Sequence, residues 1–277
     1  MTARVVGILK RPAATDRGVD RQGMHPDHDT LPSPLRVGIV GAGRLGNALA
    51  AALREAGVEV EGPLGRGGRP TRCDAILLCV PDAEIAAAAE AVTAAAPLVG
   101  HTSGATPLSA LAHAGVDAFG LHPLQTVAHA DVRFKGASAA VAGSSPEALA
   151  LASAVAERLG MTPFEIDDEG RAAYHAAASV ASNFLVTLQA AAETIAAGAG
   201  LEPEQARRLL APLVRQTVEN IAELGPQAAL TGPIARGDDA TVAAQRAAVE
   251  ETAPELLELF DELVDRTRDL ARQKARA

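Results

Sequence analysis

Short apolar runs alternate with helix-periodic segments between residues 35 and 166. Runs of this length, bounded by glycine, proline or charged residues, are typical of buried strands. The strands predicted from them are Leu35–Val40, Val58–Val60, Ala75–Val80, Leu98–His101, Ala118–Leu121, Ala139–Val141 and Thr162–Ile166. The helices predicted between them are Asn47–Ala56, a helix capped by Asp82 that runs to about Ala95, Thr106–His113 and Pro146–Leu159. This alternation predicts an α/β domain with a mostly parallel sheet and helices on both faces.

The pattern changes after Asp167, where strand candidates stop and only helical periodicity continues. The helices predicted there are Glu169–Ala197, Pro203–Leu224, Asp239–Glu250 and Pro254–Arg272. We therefore predict an α/β domain over residues 35–168 and an all-helical domain over residues 169–277. Residues 1–34 mix charges with prolines and show little periodicity, which predicts a disordered tail. For His25 and His28 in this tail, solvation is favoured over metal binding.

Composition narrows the class of protein. Of the 277 residues, 48% are hydrophobic but only 2% are aromatic, so the core is expected to be aliphatic and rich in alanine. The net charge of -9 argues against a nucleic-acid binder, which needs a basic face. No stretch approaches the roughly 20 apolar residues of a membrane helix, and the start lacks the apolar run of a secretory signal. The two cysteines, Cys73 and Cys79, form no metal-ligand pattern, so we expect a cytoplasmic protein without a metal site.

A glycine-rich turn follows the first predicted strand. Residues 41–46, Gly41-Ala42-Gly43-Arg44-Leu45-Gly46, match G-x-G-x-x-G between a strand and a helix, with a second strand beyond. In that context the pattern predicts dinucleotide binding, and an ordinary glycine-rich turn is the alternative. Gly41 permits the tight turn, Gly43 lets the backbone approach a pyrophosphate, and Gly46 lets the helix pack on the strand. The helix N-terminus, with Arg44 and Leu45, then faces the phosphates.

The region after the second predicted strand bears on the choice of nucleotide. An NAD site usually has an acidic residue there to hold the ribose hydroxyls, and Glu61 comes slightly early for that role. Arg66 and Arg69 follow in a glycine-rich loop, and an arginine can pair with a 2′-phosphate through charge-assisted bonds. We therefore favour NADP(H) over NAD(H), with two solvated loop arginines as the alternative. The loop before the third strand is too short for the usual crossover helix.

Further polar residues follow the later strands, at the sheet edge where cofactors bind. Val80 and Pro81 come after the third strand, and His101-Thr102-Ser103-Gly104 after the next. We expect Val80, Pro81 and Ser103 to border the cofactor. His122 follows the fifth strand, so His101 and His122 stand at the ends of successive strands. A contact of one of them with substrate or nicotinamide and a purely structural role are about equally expected.

The first helix of the second predicted domain carries a polar stripe. His175, Ser179 and Asn183 are spaced by four residues, so they lie on one face. A helix with so little charge is expected to be buried, and its stripe then either hydrogen-bonds within the bundle or lines a cleft. Tyr174 points about 100° away from His175, so we expect only one of them to face a substrate.

A rigid polar loop, residues 231–238, lies between two later helices. Thr231 and Arg236 are suited to hold an anionic substrate group such as a carboxylate. The alternative is a plain connection in which Asp238 or Asp239 caps the following helix.

These segments together resemble a known family. GIVGAGRLGNAL, LLCVPD, HTSGA, GLHPLQT, YHAAASVASN and LTGPIARGD are similar to motifs of Rossmann-like oxidoreductases whose helical C-terminal domain has unknown function. That family is similar to the 6-phosphogluconate-dehydrogenase-like group, with pyrroline-5-carboxylate reductase, ketopantoate reductase and prephenate dehydrogenase. The resemblance implies NADP-linked hydride transfer in an interdomain cleft and a homodimer built through the helical domain.

One departure from the wider group affects the expected chemistry. Several of its members place Lys-x-x-x-Asn on the helix after the nucleotide domain, whereas the lysines here are Lys10, Lys135 and Lys274. A lysine proton donor on that helix is excluded. The His-Pro pair at His122 is similar to one in prephenate dehydrogenases. A further alternative, oxidation with decarboxylation, rests on this similarity alone.

The leading hypothesis is an NADP-dependent oxidoreductase of a small keto or imino acid. His175 supplies or accepts the proton, Ser179 and Asn183 orient the reacting group, and His122 is the second choice for the proton. Thr231 and Arg236 anchor a carboxylate. The alternative is a non-catalytic NADP(H)-binding sensor or scaffold.

Overall fold

The computed structural model describes residues 34–129 and 132–275, so the predicted tail lies outside the described residues except for Pro34. One seven-stranded sheet forms the centre of the fold, in the order β2-β1-β3-β4-β5-β6-β7. The strands are β1 (Arg36–Val40), β2 (Glu59–Leu64), β3 (Ala75–Leu78), β4 (Leu98–His101), β5 (Asp117–Leu124), β6 (Ser138–Gly143) and β7 (Thr162–Glu165). Every neighbouring pair is parallel except β5 and β6. The predicted mostly parallel sheet is confirmed.

Helices accompany and follow the sheet. Those between strands are α1 (Arg44–Glu55), α2 (Ile85–Val92) and α3 (Pro146–Arg158). Those after the sheet are α4 (Arg171–Ala181), α5 (Asn183–Ala196), α6 (Pro203–Ala229), α7 (Pro233–Arg236), α8 (Asp239–Thr252) and α9 (Leu257–Lys274). Short 3-10 turns span Asp82–Glu84, Leu108–Ala114, Ala197–Ala199 and Pro254–Leu256. The last strand ends at Glu165, and every later regular element in the described residues is helical.

The strand β3 shows how the sheet is buried on both sides. Its four residues, AILL, are all buried, and alternate side chains of a strand point to opposite faces. Leu77 packs in the cluster that contains Leu49 of α1 and Val155 of α3. Ile76 packs on the other face, in the cluster that contains Ile85 of α2. An aliphatic core of this kind is what the low aromatic content predicts.

The connection from β2 to β3 has no helix. Residues 65–74 form only turns, and β1 lies between the two strands in the sheet. The short connection expected from the sequence is therefore present. The strand β2 runs to Leu64, four residues beyond its predicted end at Val60, with an irregular pairing to β1 between Gly38 and Val40.

One predicted helix differs from the structure. The predicted helix Glu169–Ala197 divides into α4 and α5 at Ser182, whose φ of −119 and ψ of −69 are distorted from ideal helical values. The predicted end of the helix Pro203–Leu224 coincides with a kink in α6: Gly225 has a non-helical φ of 76, and α6 continues beyond it to Ala229. The break at Ser182 does not follow from hydrophobic periodicity, because the apolar pattern continues across it.

The expectation that the helix after the α/β region is buried is wrong for the single chain. Val180, Phe184 and Val186 of α4 and α5 are 59%, 55% and 69% exposed. Leu209 and Leu213 of α6 are also exposed. The described residues thus leave these apolar side chains largely open to solvent.

Among the described residues, no single helix has the length and apolar character needed to cross a membrane. One bent pair of segments, Arg171–Ala199 with Pro203–Arg236, passes that test by length and composition only when the two are taken together.

Candidate functional site

The glycine-rich turn brings β1, β3 and α1 into very close contact. Gly41 has φ 114, and a Cβ added there would lie 2.2 Å from the Cys79 carbonyl oxygen. A Cβ on Gly46 would lie 1.9 Å from the Gly41 carbonyl oxygen. Gly43 differs, because it is exposed and a Cβ there would meet nothing within 4 Å. Two glycines thus permit the packing, and the third leaves open space beside the backbone.

The N-terminus of α1 is held at this turn by one side chain. Asn47 Nδ2 donates to the carbonyl oxygens of Ala42 and Gly43, at 2.8 and 2.9 Å. The helix begins at Arg44, which is exposed, and Leu45 is partly buried against the core. The first turn has no acidic residue, so the partial positive charge of the helix end is not neutralised by its own sequence. This arrangement can bind an anion.

The Glu61 carboxylate is occupied by its own neighbours. It accepts hydrogen bonds from the Thr71 amide and hydroxyl at 2.7 and 2.5 Å, and from Arg36 Nη2 at 3.0 Å. The Thr71 bonds, with help from Arg36, lower the pKa of Glu61 although burial opposes them. Glu61 comes nearest to the position of the acidic residue that holds the ribose in NAD sites, and its carboxylate is therefore already hydrogen-bonded within the protein.

Arg66 and Arg69 both lie in the exposed loop after β2. The Arg66 side chain is 87% exposed, and its Nη2 lies 2.9 Å from Glu84 Oε1. Exposed ion pairs of this kind contribute little stability, so Arg66 can exchange this partner for another anion at small cost.

The ends of β3 and β4 are joined by Ser103. Its hydroxyl donates to Asp82 Oδ2 at 2.8 Å and accepts from the amides of Ala105 and Thr106. The predicted helix cap at Asp82 is wrong, because no side chain caps that helix start and Asp82 binds Ser103 instead. Val80 is partly buried and Pro81 is exposed at the same place. Ser103 thus shapes the loop, and its hydroxyl is already hydrogen-bonded.

A cluster of ring side chains lies where β5 meets α4. The Tyr174 hydroxyl and His122 Nδ1 are 2.7 Å apart, which is hydrogen-bond distance. The His175 ring packs edge-on to the His122 ring with centroids 5.8 Å apart. Gly104 packs against both imidazoles, since a Cβ there would lie 2.6 Å from His175 Nδ1 and 2.8 Å from His122 Cε1. We call Gly104, His122, Tyr174 and His175 the imidazole cluster.

Burial decides the charge of the histidines in this region. It lowers the pKa of His122 to about 4, with further lowering by the charges of His175 and Arg171 and a small opposing effect of Asp82. Burial and the Arg171 charge likewise lower the pKa of His101 to about 4. Both imidazoles are therefore neutral near pH 7. His175 Nδ1 is buried and has no hydrogen-bond partner among the described residues, so it is available to a ligand that reaches it.

Thiol chemistry is not favoured beside the glycine-rich turn. Burial raises the pKa of Cys79 to about 12, although a hydrogen bond with Thr102 opposes the change. A thiol with that pKa is not ionised at neutral pH. No group of three or more metal-ligating side chains occurs in the described part of the chain.

The other predicted site residues lie outside the imidazole cluster. Ser179 is partly buried on α4, and Asn183 is the exposed first residue of α5, beyond the break at Ser182. Thr231 and Arg236 are exposed beside and within α7. Across residues 34–129 and 132–275, none of these four side chains hydrogen-bonds to the cluster. The single polar stripe expected on one continuous helix is interrupted by the helix break.

Two residues of this region, Tyr174 and Arg171, were not among the site residues predicted from the sequence. Arg171 is 2% exposed and pairs with Asp168 at 3.3 Å. A lone arginine at the start of an almost uncharged helix, shortly after Asp167 and Asp168, was the available signal. Tyr174 is the only tyrosine of the chain, but helical periodicity placed it away from His175. Periodicity did not reveal that His122 from the sheet would contact both rings.

Comparison with known proteins supports the same fold. Residues 137–267 match the family model of a domain of unknown function, DUF2520, which starts within the sheet near β6. No curated protein matches the chain. The predicted boundary between the domains at residue 168 stays a prediction.

Solved structures extend the likeness over most of the chain. A candidate NADP oxidoreductase from Bacteroides fragilis is 22% identical with a TM-score of 0.73, over 85% of this chain and 98% of that one. A protein from Thermotoga maritima is 24% identical with a TM-score of 0.68, over 86% and 99%. Pyrroline carboxylate reductase from Plasmodium falciparum, solved with NADP bound, is 12% identical with a TM-score of 0.55, over 86% and 98%. The predicted resemblance to Rossmann-like oxidoreductases with a helical C-terminal domain is confirmed at the level of fold.

The buried neutral histidines predict a pH-dependent stability. The unfolded chain protonates an imidazole below about pH 6.5, whereas folded His101 and His122 resist until about pH 4. The free energy of unfolding is therefore expected to fall between pH 6.5 and pH 4, by roughly 1–2 kcal/mol per imidazole at pH 5. Urea unfolding at pH 7 and pH 5 measures this. His122→Gln should show a smaller decrease, while the exposed control His113→Gln should show the wild-type one; equal decreases in both variants would contradict the assignment.

Proposed function

We propose that this chain, with its DUF2520 region on a Rossmann-like sheet, is an NADP-dependent oxidoreductase that transfers hydride to or from a small keto or imino acid. One observation carries the proposal: the open glycine turn and the imidazole cluster lie at the same edge of the sheet. The parallel register pairs Val40 with Leu78, Leu78 with His101, and His101 with Gly120. The residues just after those positions therefore converge, as in nucleotide-binding sheets generally.

The residues of the turn fit a dinucleotide. Gly43 leaves room for a diphosphate against bare backbone, and the free amides of α1 begin at Arg44. Val80, Pro81 and Ser103 stand at the ends of the next two strands, where they can border the cofactor. A bound nicotinamide would supply or accept the hydride, and the chain's own residues would bind and orient the reactants and move the proton.

The proton is assigned to His175, whose Nδ1 is buried and unpartnered beside Gly104. A neutral imidazole can accept a proton from an alcohol or amine, and its conjugate acid can return one to a carbonyl or imine. His122 is the second choice, since its Nδ1 is already bonded to Tyr174. Ser179 and Asn183 are proposed to orient the reacting group, and Thr231 and Arg236 to anchor a carboxylate. All four contact the substrate in this proposal.

NADP(H) is favoured over NAD(H) on charge and geometry. Glu61 is engaged by Arg36 and Thr71, so it does not offer a carboxylate to a ribose hydroxyl. Arg66 and Arg69 are exposed after β2, and a 2′-phosphate can replace Glu84 as the partner of Arg66. The NADP bound in the similar Plasmodium falciparum reductase supports this preference.

The glycine turn gives the first test of the proposal. Gly43→Val is expected to fold normally, because a Cβ there meets nothing, yet to weaken NADPH binding by at least tenfold, because it fills the space for the diphosphate. Fluorescence titration with NADPH and NADH measures this, with tighter binding of NADPH expected for the wild type. The control Ala51→Val lies on the exposed side of α1 and should bind as the wild type does. A Gly43→Val protein with wild-type affinity would rule out the site.

The proton role of His175 gives the second test. His175→Ala is expected to keep NADPH affinity and to lose turnover by about 10²-fold or more, the range of a general acid or base. Oxidation of NADPH is measured across a panel of keto and imino acids, with His113→Ala as the exposed-histidine control. Turnover equal to that of the wild type would remove His175 from the mechanism and leave His122 as the candidate.

A non-catalytic NADP(H)-binding sensor is the second candidate. The observation that favours it is the scattered placement of Ser179, Asn183, Thr231 and Arg236, none of which bonds to the imidazole cluster in the described chain. Tight NADPH binding without oxidation by any member of the panel would favour the sensor.

A homodimer through the helices accounts for the exposed apolar faces. Leu209, Leu213 and Leu224 of α6 are 58%, 64% and 58% exposed, and Phe184 of α5 is 55% exposed. A second copy that covers these helices would remove from water the side chains that no element of the described chain covers.

The dimer is tested by placing a charge in that face. Leu213→Glu is expected to shift the protein from dimer to monomer, because an uncompensated carboxylate is costly to bury. Sedimentation at several concentrations measures the mass, and Ala51→Glu on α1 serves as the control. A wild-type monomer at high concentration would contradict the proposal.

A further inference from the structure

Arg171 is a buried cation that the proposed chemistry does not use. It is 2% exposed, at the first residue of α4 and one turn before His175. Its Nη1 donates to the Ser103 carbonyl oxygen at 3.3 Å, and its Nε lies 3.3 Å from Asp168 Oδ1 without a well-formed hydrogen bond. A guanidinium with so few partners is costly to bury, so a purely apolar side chain would serve stability at least as well.

The sheet provides a specific space for this side chain. Gly120 lies inside β5, and a Cβ there would come within 2.6 Å of Arg171 Nη2. Glycine in the middle of a strand usually weakens it, and a close approach by another group is the common reason for its presence. The absence of a side chain at Gly120 therefore leaves room for the Arg171 guanidinium.

Asp168 extends the contact to a third segment. Its carboxylate accepts hydrogen bonds from the amides of Leu108 and Ser109, at 2.7 and 3.2 Å. Burial alone would raise the pKa of Asp168, but these amides and the Arg171 charge lower it, so the group is an anion at neutral pH. Arg171 and Asp168 thus link the loop after β4, the 3-10 turn that follows it and the start of α4.

We infer that Arg171 is a positioning residue for the imidazole cluster: it fixes the Ser103–Gly104 turn against α4 and places a permanent positive charge beside the histidines. A consequence of this positioning for catalysis rests on the proposed function. The contacts of Arg171 themselves are present in the protein without ligand. Gly104 touches both His122 and His175, so a shift of the turn that bears it moves both rings. The positive charge of Arg171 also acts on His122.

The charge has a measurable consequence at His122. Burial has the largest effect on the pKa of this imidazole; the charges that act on it are His175 and Arg171 from α4, which disfavour its protonation, and Asp82 from the 3-10 turn after β3, which favours it. The Tyr174 hydroxyl is its hydrogen-bond partner. Removing the Arg171 charge removes one of the two unfavourable charges, so the pKa of His122 should rise.

The test compares two variants by NMR of the histidine side chains in the protein without NADPH or substrate. Arg171→Met removes the charge, and Arg171→Lys keeps it. In Arg171→Met the pKa of His122 is expected to rise from about 4 by at most about one pH unit, because burial and His175 both lower it more than Arg171 does. In Arg171→Lys it should stay within a few tenths of the wild-type value. The control Arg207→Met breaks an exposed ion pair with Glu193 and should leave the His122 titration unchanged.

A folded Arg171→Met protein with wild-type titration of His122 and unmoved ring signals of His122 and His175 would overturn the inference. A merely structural role predicts loss of folding without rescue by lysine, which would also overturn it. If Arg171→Met does not fold, Arg171→Gln decides: it keeps an amide donor for the Ser103 carbonyl oxygen but removes the charge, so the pKa of His122 should rise. An unchanged or lowered value would contradict the inference. Because no nucleotide is present, these results are separate from the success or failure of NADPH binding.

Discussion

The structure depends on how closely the backbone approaches itself at the end of β1. The Gly41 carbonyl comes so near to Gly46, and the Cys79 carbonyl so near to Gly41, that any side chain at 41 or 46 would overlap backbone atoms. This contact sets the angle between the strand and α1 and points the free amides of the helix into the space beside Gly43. The capacity of this edge of the sheet to bind an anion follows from that one steric constraint.

A second constraint is electrostatic and lies at the far side of the same edge. His101 and His122 are neutral because burial and a neighbouring cation both oppose their protonation. The cation, Arg171, is itself kept in place by Asp168 and a carbonyl oxygen. A nicotinamide and a carbonyl substrate would therefore meet uncharged imidazoles in a place with little water, where hydrogen bonds are strong and an unpaired charge is costly.

The fold was largely predictable from the sequence, whereas the site was predictable only in part. Buried runs such as AILL, and the glycine turn between a strand and a helix, have patterns that local physics determines. The break at Ser182 was not predictable, because apolar periodicity continues across it and only its backbone angles show the change. The contact of His122 with Tyr174 joins residues 52 positions apart, and nothing in either local pattern fixes it. The exposure of Phe184 was missed because an apolar helix was expected to find its partner within the same chain.

The proposed site for a nucleotide diphosphate is the backbone of residues 41–46. A crystal structure of the protein with NADPH tests this site most directly. We expect phosphate oxygens within about 3.2 Å of the amides at the start of α1, and the nicotinamide ring beside His122 and His175. A nucleotide bound elsewhere, with the turn in contact with solvent alone, would contradict it.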